Sequence, residues 1–123
     1  MNEYDPIKRQ NAKEWMELDE GVRLALIREF HEKLQEELPD LGLHAAMHCL
    51  VENQVVICND LPVAATLERL TKEGLDRHDA IHAIASIVCR DLLDMMKQGT
   101  SFSQERYSEQ LVELTAKKWL QAS

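Results

Sequence analysis

Residues 40–54 read DLGLHAAMHCLVENQ, and the rest of the chain can be interpreted outward from this stretch. Side chains four residues apart lie on the same face of an α-helix. His44, His48 and Glu52 are therefore expected to form one polar stripe on a helix whose other residues are mostly apolar. Asp40 is placed to cap the start of this helix. The pattern predicts a helix that carries paired imidazoles on an otherwise apolar face.

A second pair of histidines occurs in GLDRHDAIHAI, residues 74–84. His78 and His82 are again four residues apart, and Asp76 is placed to cap the helix that carries them. Imidazole is a good ligand for zinc, iron, nickel and copper, and two histidines at this spacing can reach one ion. Two such helices suggest a metal site or an acid–base site.

The composition indicates the fold class. A chain of 123 residues, 45% hydrophobic and 29% charged, has the size and balance of one folded globular domain. Only four glycines and three prolines are present, so few turns and long elements are expected. Aromatic residues are scarce at 5%, which favours helices over strands. We predict an all-α fold, a single helical domain over residues 1–123 arranged as a compact bundle of about six helices.

The charge argues against several classes of partner. The formal net charge is −8, whereas proteins that bind nucleic acid or anionic membranes present clustered Lys and Arg. No apolar run approaches the length of about 20 residues that spans a bilayer, and the N-terminus lacks the basic and apolar regions of a signal peptide. Three cysteines form no disulfide framework. We expect a cytoplasmic protein that contacts neither nucleic acid nor membrane and is a candidate homodimer.

Capping residues and apolar spacing give the expected helices. The first starts at Asp5-Pro6, the second runs from about Val22 to Glu37, and the third continues from Asp40 to about Ile57. A short fourth helix ends at Glu73, the fifth runs from Asp76 to Gly99, and the sixth starts at Ser101 or Ser103 and includes Trp119.

The histidine pairs allow three arrangements around a metal. His44 and Glu52 are about 12 Å apart along a straight helix, so one ion cannot readily take both. Four histidines can bind the ion, or His48 and Glu52 can bind it with His78 and His82, which leaves His44 for a second ion or for substrate. If both stripes are used fully, two ions a few ångströms apart become feasible.

These arrangements suggest a function. We expect a divalent transition metal, Zn, Ni or Fe, bound through His44, His48, His78 and His82, and no organic cofactor. Glu52 is then an additional ligand or a general base acting on metal-bound water. Hydrolysis is the first reaction class to consider, although no residue indicates a small-molecule substrate.

The competing interpretation is an interaction or scaffold protein whose histidines complete a metal-free polar core. A third is a pH-responsive element built from clustered histidines. His31 lies on the charged second helix, where we expect it to be exposed, with the option of joining the site as a ligand from another helix. The cysteines are expected to pack as small apolar residues.

From Leu43 to about Val88 the chain resembles a bacterial family catalogued as domain of unknown function 1841. The shared features are the His44-x3-His48 segment that ends in Gln54 and the later segment from His78 to Ala83. The resemblance covers somewhat over a third of the chain. It implies a small bacterial protein with helical histidine motifs and no assigned activity.

Two broader likenesses concern the order of the motifs. His48-x3-Glu52 followed by His78-x3-His82 is similar to the ligand order of hemerythrin-like di-iron bundles, but the last helix here contains no histidine. The histidine-lined bundles of DinB-like metalloenzymes are also similar in style. A likeness of fold does not establish a function.

Overall fold

The structure, a computed structural model, describes residues 2–34, 40–57 and 61–122, and this part of the chain is all α-helical with no strand. It contains seven helices: α1 (Ala12–Glu17), α2 (Glu20–Lys33), α3 (Leu41–Ile57), α4 (Val63–Lys72), α5 (Arg77–Gln98), α6 (Gln104–Glu113) and α7 (Ala116–Ala122). The all-α prediction is confirmed, and the predicted number of helices is slightly too low. No helix in these ranges is both long enough and apolar enough to cross a membrane.

Helix α3 lies between two hydrophobic clusters. On one side, Val51 packs with buried residues of α4, α5 and α6, including Leu70, Ile84 and Leu111. On the other side, Ala45 and Cys49 pack with the N-terminal residues and α2. Because α3 also contacts α2, α4 and α5 directly, a buried polar group on its inner faces must find its partners on the elements that surround it.

Helix α5 is the longest helix and begins and ends as its sequence predicts. The Asp76 side chain accepts a hydrogen bond from the backbone N–H of Asp79, 2.7 Å away. Gly99 ends the helix at φ +65°, a left-handed conformation that favours glycine. His78 and His82 lie in the first two turns of this helix, with their rings against His48 of α3.

The first helix does not start at Asp5-Pro6, as the sequence predicted. Asp5 instead forms a turn, in which its carboxylate accepts from the N–H of Ile7 and its carbonyl accepts from the N–H of Lys8. The helix begins later, where the Asn11 side chain accepts from the N–H of Glu14. Residues 2–10 consequently form a non-helical segment, which we call the N-terminal segment.

The predicted sixth helix is two helices. Leu114 is extended at φ −67° and ψ 130°, and α7 begins after Thr115, whose hydroxyl accepts from the N–H of Lys118. The Arg69 guanidinium donates to the carbonyls of Leu111 and Leu114 at 3.1 and 2.6 Å. A side chain from α4 therefore satisfies carbonyls at the end of α6, and the chain can turn there.

Helix α2 ends at Lys33 in the described part of the chain. The sequence placed its end near Glu37 and attributed it to Leu38-Pro39, and these residues lie outside the described ranges, as does Cys58.

Candidate metal centre

All five histidines of the chain meet at one place between three helices. His31 comes from α2, His44 and His48 from α3, and His78 and His82 from α5. Each offers one ring nitrogen, and these five atoms lie within 4.8 Å of one another. The structure thus brings together the four predicted ligands and adds a fifth. We call these five residues the histidine cluster.

The prediction that His31 is exposed is wrong, because the residue is buried with only 1% of its surface exposed. The buried stripe of α2 consists of Arg23, Ile27 and His31, which are four residues apart. Two of these three residues are polar, so a search for apolar periodicity does not select this stripe. The regular four-residue spacing from Arg23 to His31 was the available signal.

Four of the imidazoles form a chain of close nitrogen–nitrogen contacts. Nε2 of His31 lies 3.0 Å from Nε2 of His44, which lies 3.2 Å from Nε2 of His82. Nε2 of His82 in turn lies 2.9 Å from Nε2 of His48. Nε2 of His78 is buried and has no hydrogen-bond partner among the described residues.

The protonation of two of these rings follows from their partners. Nδ1 of His31 faces the carbonyl of Ile27 at 2.8 Å, and a carbonyl only accepts, so Nδ1 carries a hydrogen. Nδ1 of His48 is 3.0 Å from the Tyr4 hydroxyl, which donates its own hydrogen to Glu52. Nδ1 of His48 therefore donates to Tyr4. If both rings are neutral, Nε2 of His31 and Nε2 of His48 carry no hydrogen, and each presents a lone pair.

This assignment leaves one contact unsatisfied. Along the chain His31–His44–His82–His48, every contact needs one N–H and one lone pair, so the four nitrogens must alternate. Of the two end nitrogens, one must then carry a hydrogen and the other a lone pair, whereas Nε2 of His31 and Nε2 of His48 both carry a lone pair. With neutral rings, at least one contact sets two lone pairs or two N–H groups against each other, and such an arrangement is costly when buried.

Glu52 lies beside the cluster but is not one of its five members. Its carboxylate accepts from Nη2 of Arg77 at 2.6 Å, Nη1 of Arg77 at 2.8 Å and the hydroxyl of Tyr4 at 2.7 Å. With 0% of its surface exposed, it is held in a bidentate ion pair. Its predicted role as a metal ligand or general base stays a prediction. In the structure, Glu52 pairs with Arg77 and is linked to His48 through the hydroxyl of Tyr4.

Burial and the proximity of other imidazoles lower the pKa of three of the five rings. Burial, followed by the neighbouring imidazoles His82 and His31, lowers the pKa of His48 strongly. Burial likewise lowers the pKa of His78 and of His82 to about 4 each. Burial and then the charge of Glu52 raise the pKa of Tyr4 well above 10, so its hydroxyl keeps its proton. Unprotonated imidazoles are the form that binds metal ions.

A groove of about 370 Å³ reaches the cluster from the surface. Three of the cluster residues, His44, His48 and His82, form part of its wall. The other lining residues are mainly apolar or small: Leu43, Met47, Ala85, Ser86, Cys89 and Trp119, with Asp40 as the acidic member. Burial raises the pKa of the Cys89 thiol, which argues against a thiolate in this groove.

We compared the chain with family models, curated proteins and solved structures, and none of the three comparisons gave a match. The resemblance over residues 43–88 therefore stays a prediction.

The metal-free protein should lose stability on acidification through the histidine range. The pKa of His78 and His82 is about 4 in the folded state, against about 6.5 in the unfolded chain. Between these values the unfolded chain binds more protons, so the free energy of unfolding falls as the pH falls. We expect the urea midpoint of metal-free protein to be lower at pH 5 than at pH 7.5.

Carboxylates titrate mostly below pH 5, and all histidines lie in the cluster, so this window isolates the cluster. The His78→Gln/His82→Gln double variant serves as the control and should show a smaller dependence, with the remainder due to the lowered pKa of His48. A wild-type midpoint that is unchanged or higher at pH 5 would contradict the assignment.

Proposed function

We propose that this protein binds one divalent transition-metal ion through His31, His44, His48, His78 and His82. The observation that supports this proposal is the convergence of five imidazole nitrogens within 4.8 Å, with contacts that neutral rings cannot all satisfy. A cation among the lone pairs removes the conflict, because each nitrogen then coordinates the ion and needs no hydrogen bond from its neighbour. The ion would also give the buried Nε2 of His78 a partner.

The dimensions of the cluster favour one ion with a high coordination number. Two ligands at a right angle, each about 2.1 Å from a metal, are about 3.0 Å apart, whereas tetrahedral ligands are about 3.4 Å apart. Two of the nitrogen–nitrogen contacts, 2.9 and 3.0 Å, are nearer the first value, and the third, 3.2 Å, lies midway between the two. Among the expected metals, Ni and Fe therefore fit this set better than Zn, which prefers four ligands.

The ligand set also suggests what the ion would do. Five neutral imidazoles leave the full charge of a divalent ion in place, and a six-coordinate ion would have one position open. The groove lined by His44, His48 and His82 would let a substrate reach an ion held by the cluster. Such an ion can polarise a carbonyl group or activate water, so we propose metal-dependent hydrolysis as the reaction class, with the apolar groove walls contacting the substrate.

The alternative function, a metal-free interaction or scaffold protein, has one observation in its favour. The imidazoles pack edge to face, with ring centroids of His78 and His82 4.4 Å apart and those of His31 and His44 also 4.4 Å apart. Such packing contributes to stability without a ligand. It does not remove the conflict along the nitrogen chain, which is why we place metal binding first.

Metal content is the first test of the proposal. Protein purified without a histidine tag or added metal should contain about one transition-metal ion per chain by elemental analysis, and a chelator should lower its melting temperature. The His44→Ala/His78→Ala double variant should contain none. Cys89→Ser is the matched control, because Cys89 lines the same groove without belonging to the cluster, and it should retain the metal.

Wild-type protein that contains no metal, and that binds none when Zn²⁺, Ni²⁺ or Fe²⁺ is offered under anaerobic conditions, would contradict metal binding. The metal-free polar core would then be the better description.

Hydrolytic activity can be tested separately. Metal-replete protein should hydrolyse p-nitrophenyl esters of short aliphatic acids, and the rate should rise in proportion to the metal content as metal-free protein is reconstituted. Chelation or the His44→Ala/His78→Ala change should reduce the rate to that of buffer. Protein with a full metal content and no activity towards esters, phosphoesters or amides would refute the hydrolase proposal and leave the metal site intact.

A further inference from the structure

One buried side chain of the N-terminal segment, Tyr4, reaches the back of the histidine cluster. Tyr4 is 3% exposed, and its ring packs against Trp15 and Phe30 at centroid distances of 5.9 and 6.0 Å. Its hydroxyl lies between His48 and Glu52, at 3.0 and 2.7 Å. A residue from a non-helical segment thus supplies the hydrogen bond behind one of the five imidazoles.

Resting on the metal site proposed above, we propose that Tyr4 is a positioning residue of that site and that metal binding is coupled to the docking of the N-terminal segment. The proposal assigns a role to residues 2–10 that neither the histidine spacing nor the groove implies.

The first argument is the direction of the hydrogen bonds. Arg77 donates to both carboxylate oxygens of Glu52, and these oxygens act as acceptors in each of these bonds. Tyr4 must therefore donate to Glu52 and accept from Nδ1–H of His48. This relay orients the His48 ring with its Nε2 lone pair towards the other imidazoles. A hydrogen bond to the second nitrogen of a histidine ligand fixes its tautomer and raises its basicity.

The second argument is that the same buried pair binds the backbone of the segment. Nη1 of Arg77 donates to the carbonyl of Pro6 at 2.9 Å. The amide of Gln10 donates to the carbonyls of Asp5 and Lys8 at 3.1 and 3.0 Å, and lies 3.5 Å from Glu52. The segment therefore contacts the Glu52–Arg77 pair at Tyr4, Pro6 and Gln10.

These contacts imply a reciprocal effect. An ion coordinated by His48 withdraws charge from the ring and makes its Nδ1–H a stronger donor to Tyr4. If docking of the segment raises the affinity for the metal, then metal binding must raise the equilibrium constant for docking by the same factor. Lys8 and Arg9 are exposed and adjacent in this segment, so trypsin can report how often it undocks.

The central experiment compares two buried tyrosines. Tyr4→Phe keeps the ring and removes the relay hydroxyl. Tyr107→Phe is the matched control, since Tyr107 is 0% exposed and its hydroxyl donates at 2.7 Å to Gln54, two residues from Glu52 on the same helix. Titration of metal-free full-length protein with Ni²⁺ against a chromophoric chelator should show affinity about 10–100-fold weaker for Tyr4→Phe. Tyr107→Phe should bind within about twofold of wild type.

Limited digestion with trypsin provides a second readout, which can be made on the wild-type protein alone. Saturating Ni²⁺ should slow cleavage of wild-type protein after Lys8 and Arg9, measured by mass spectrometry, more than cleavage at the exposed Lys117 and Lys118 of α7. In Tyr4→Phe this selective protection should disappear, whereas in Tyr107→Phe it should persist.

The outcomes separate the two proposals. Equal Ni²⁺ affinities of Tyr4→Phe and Tyr107→Phe, or equal protection of the N-terminal and α7 sites in wild type, would overturn the positioning role and leave the metal site standing. Wild-type protein that binds no metal would overturn the proposed function itself. If Tyr4→Phe does not fold, the comparison of N-terminal and α7 protection in wild-type protein still tests whether metal binding is coupled to docking of the segment.

Discussion

The carboxylate of Glu52 lies in the interior with none of its surface exposed, and much of the molecule is arranged to satisfy it. Without water, its oxygens take hydrogen bonds from Arg77 on α5 and from Tyr4 in the N-terminal segment. Removal of one partner of a buried ion pair typically costs about 3–5 kcal/mol, so α3, α5 and the segment are held in one arrangement.

The position of the histidines follows from this ion pair. His48 lies one helical turn before Glu52, and His78 is the residue next to Arg77, so the contact that joins the charged pair also brings these two imidazoles together. Their ring centroids are 5.0 Å apart. His44 and His82 then meet one turn further along their helices, with ring centroids 4.8 Å apart. The charged pair is in this sense the scaffold of the cluster.

The sequence predicted the local parts of this arrangement well. The four-residue spacings of His44 with His48 and of His78 with His82 depend only on helix geometry, and the caps at Asp76 and Gly99 are recognisable within a few residues. Those features sufficed to predict an all-α fold and to bring four of the five histidines to one place.

The remaining parts depend on contacts that are distant in sequence. Glu52 continues the histidine stripe and therefore looked like a ligand, but Arg77, 25 residues away, forms a bidentate pair with it. Tyr4 reaches His48 across 44 residues, from a position just before the predicted helix start at Asp5-Pro6. His31 belongs to a buried stripe of α2 that is mostly polar, and a hydrophobicity pattern cannot reveal such a stripe. Periodicity reports one helix at a time, whereas these assignments require knowing which helices meet.

Anomalous diffraction tests the central claim most directly. Crystals of untagged protein would be grown with one equivalent of the metal that co-purifies, or of Ni²⁺ if none does, and measured above and below its absorption edge. We expect one peak, with a nitrogen of each of the five imidazoles about 2.0–2.3 Å from it. Crystals without a peak between the helices, in which the imidazoles contact one another as neutral rings, would contradict metal binding.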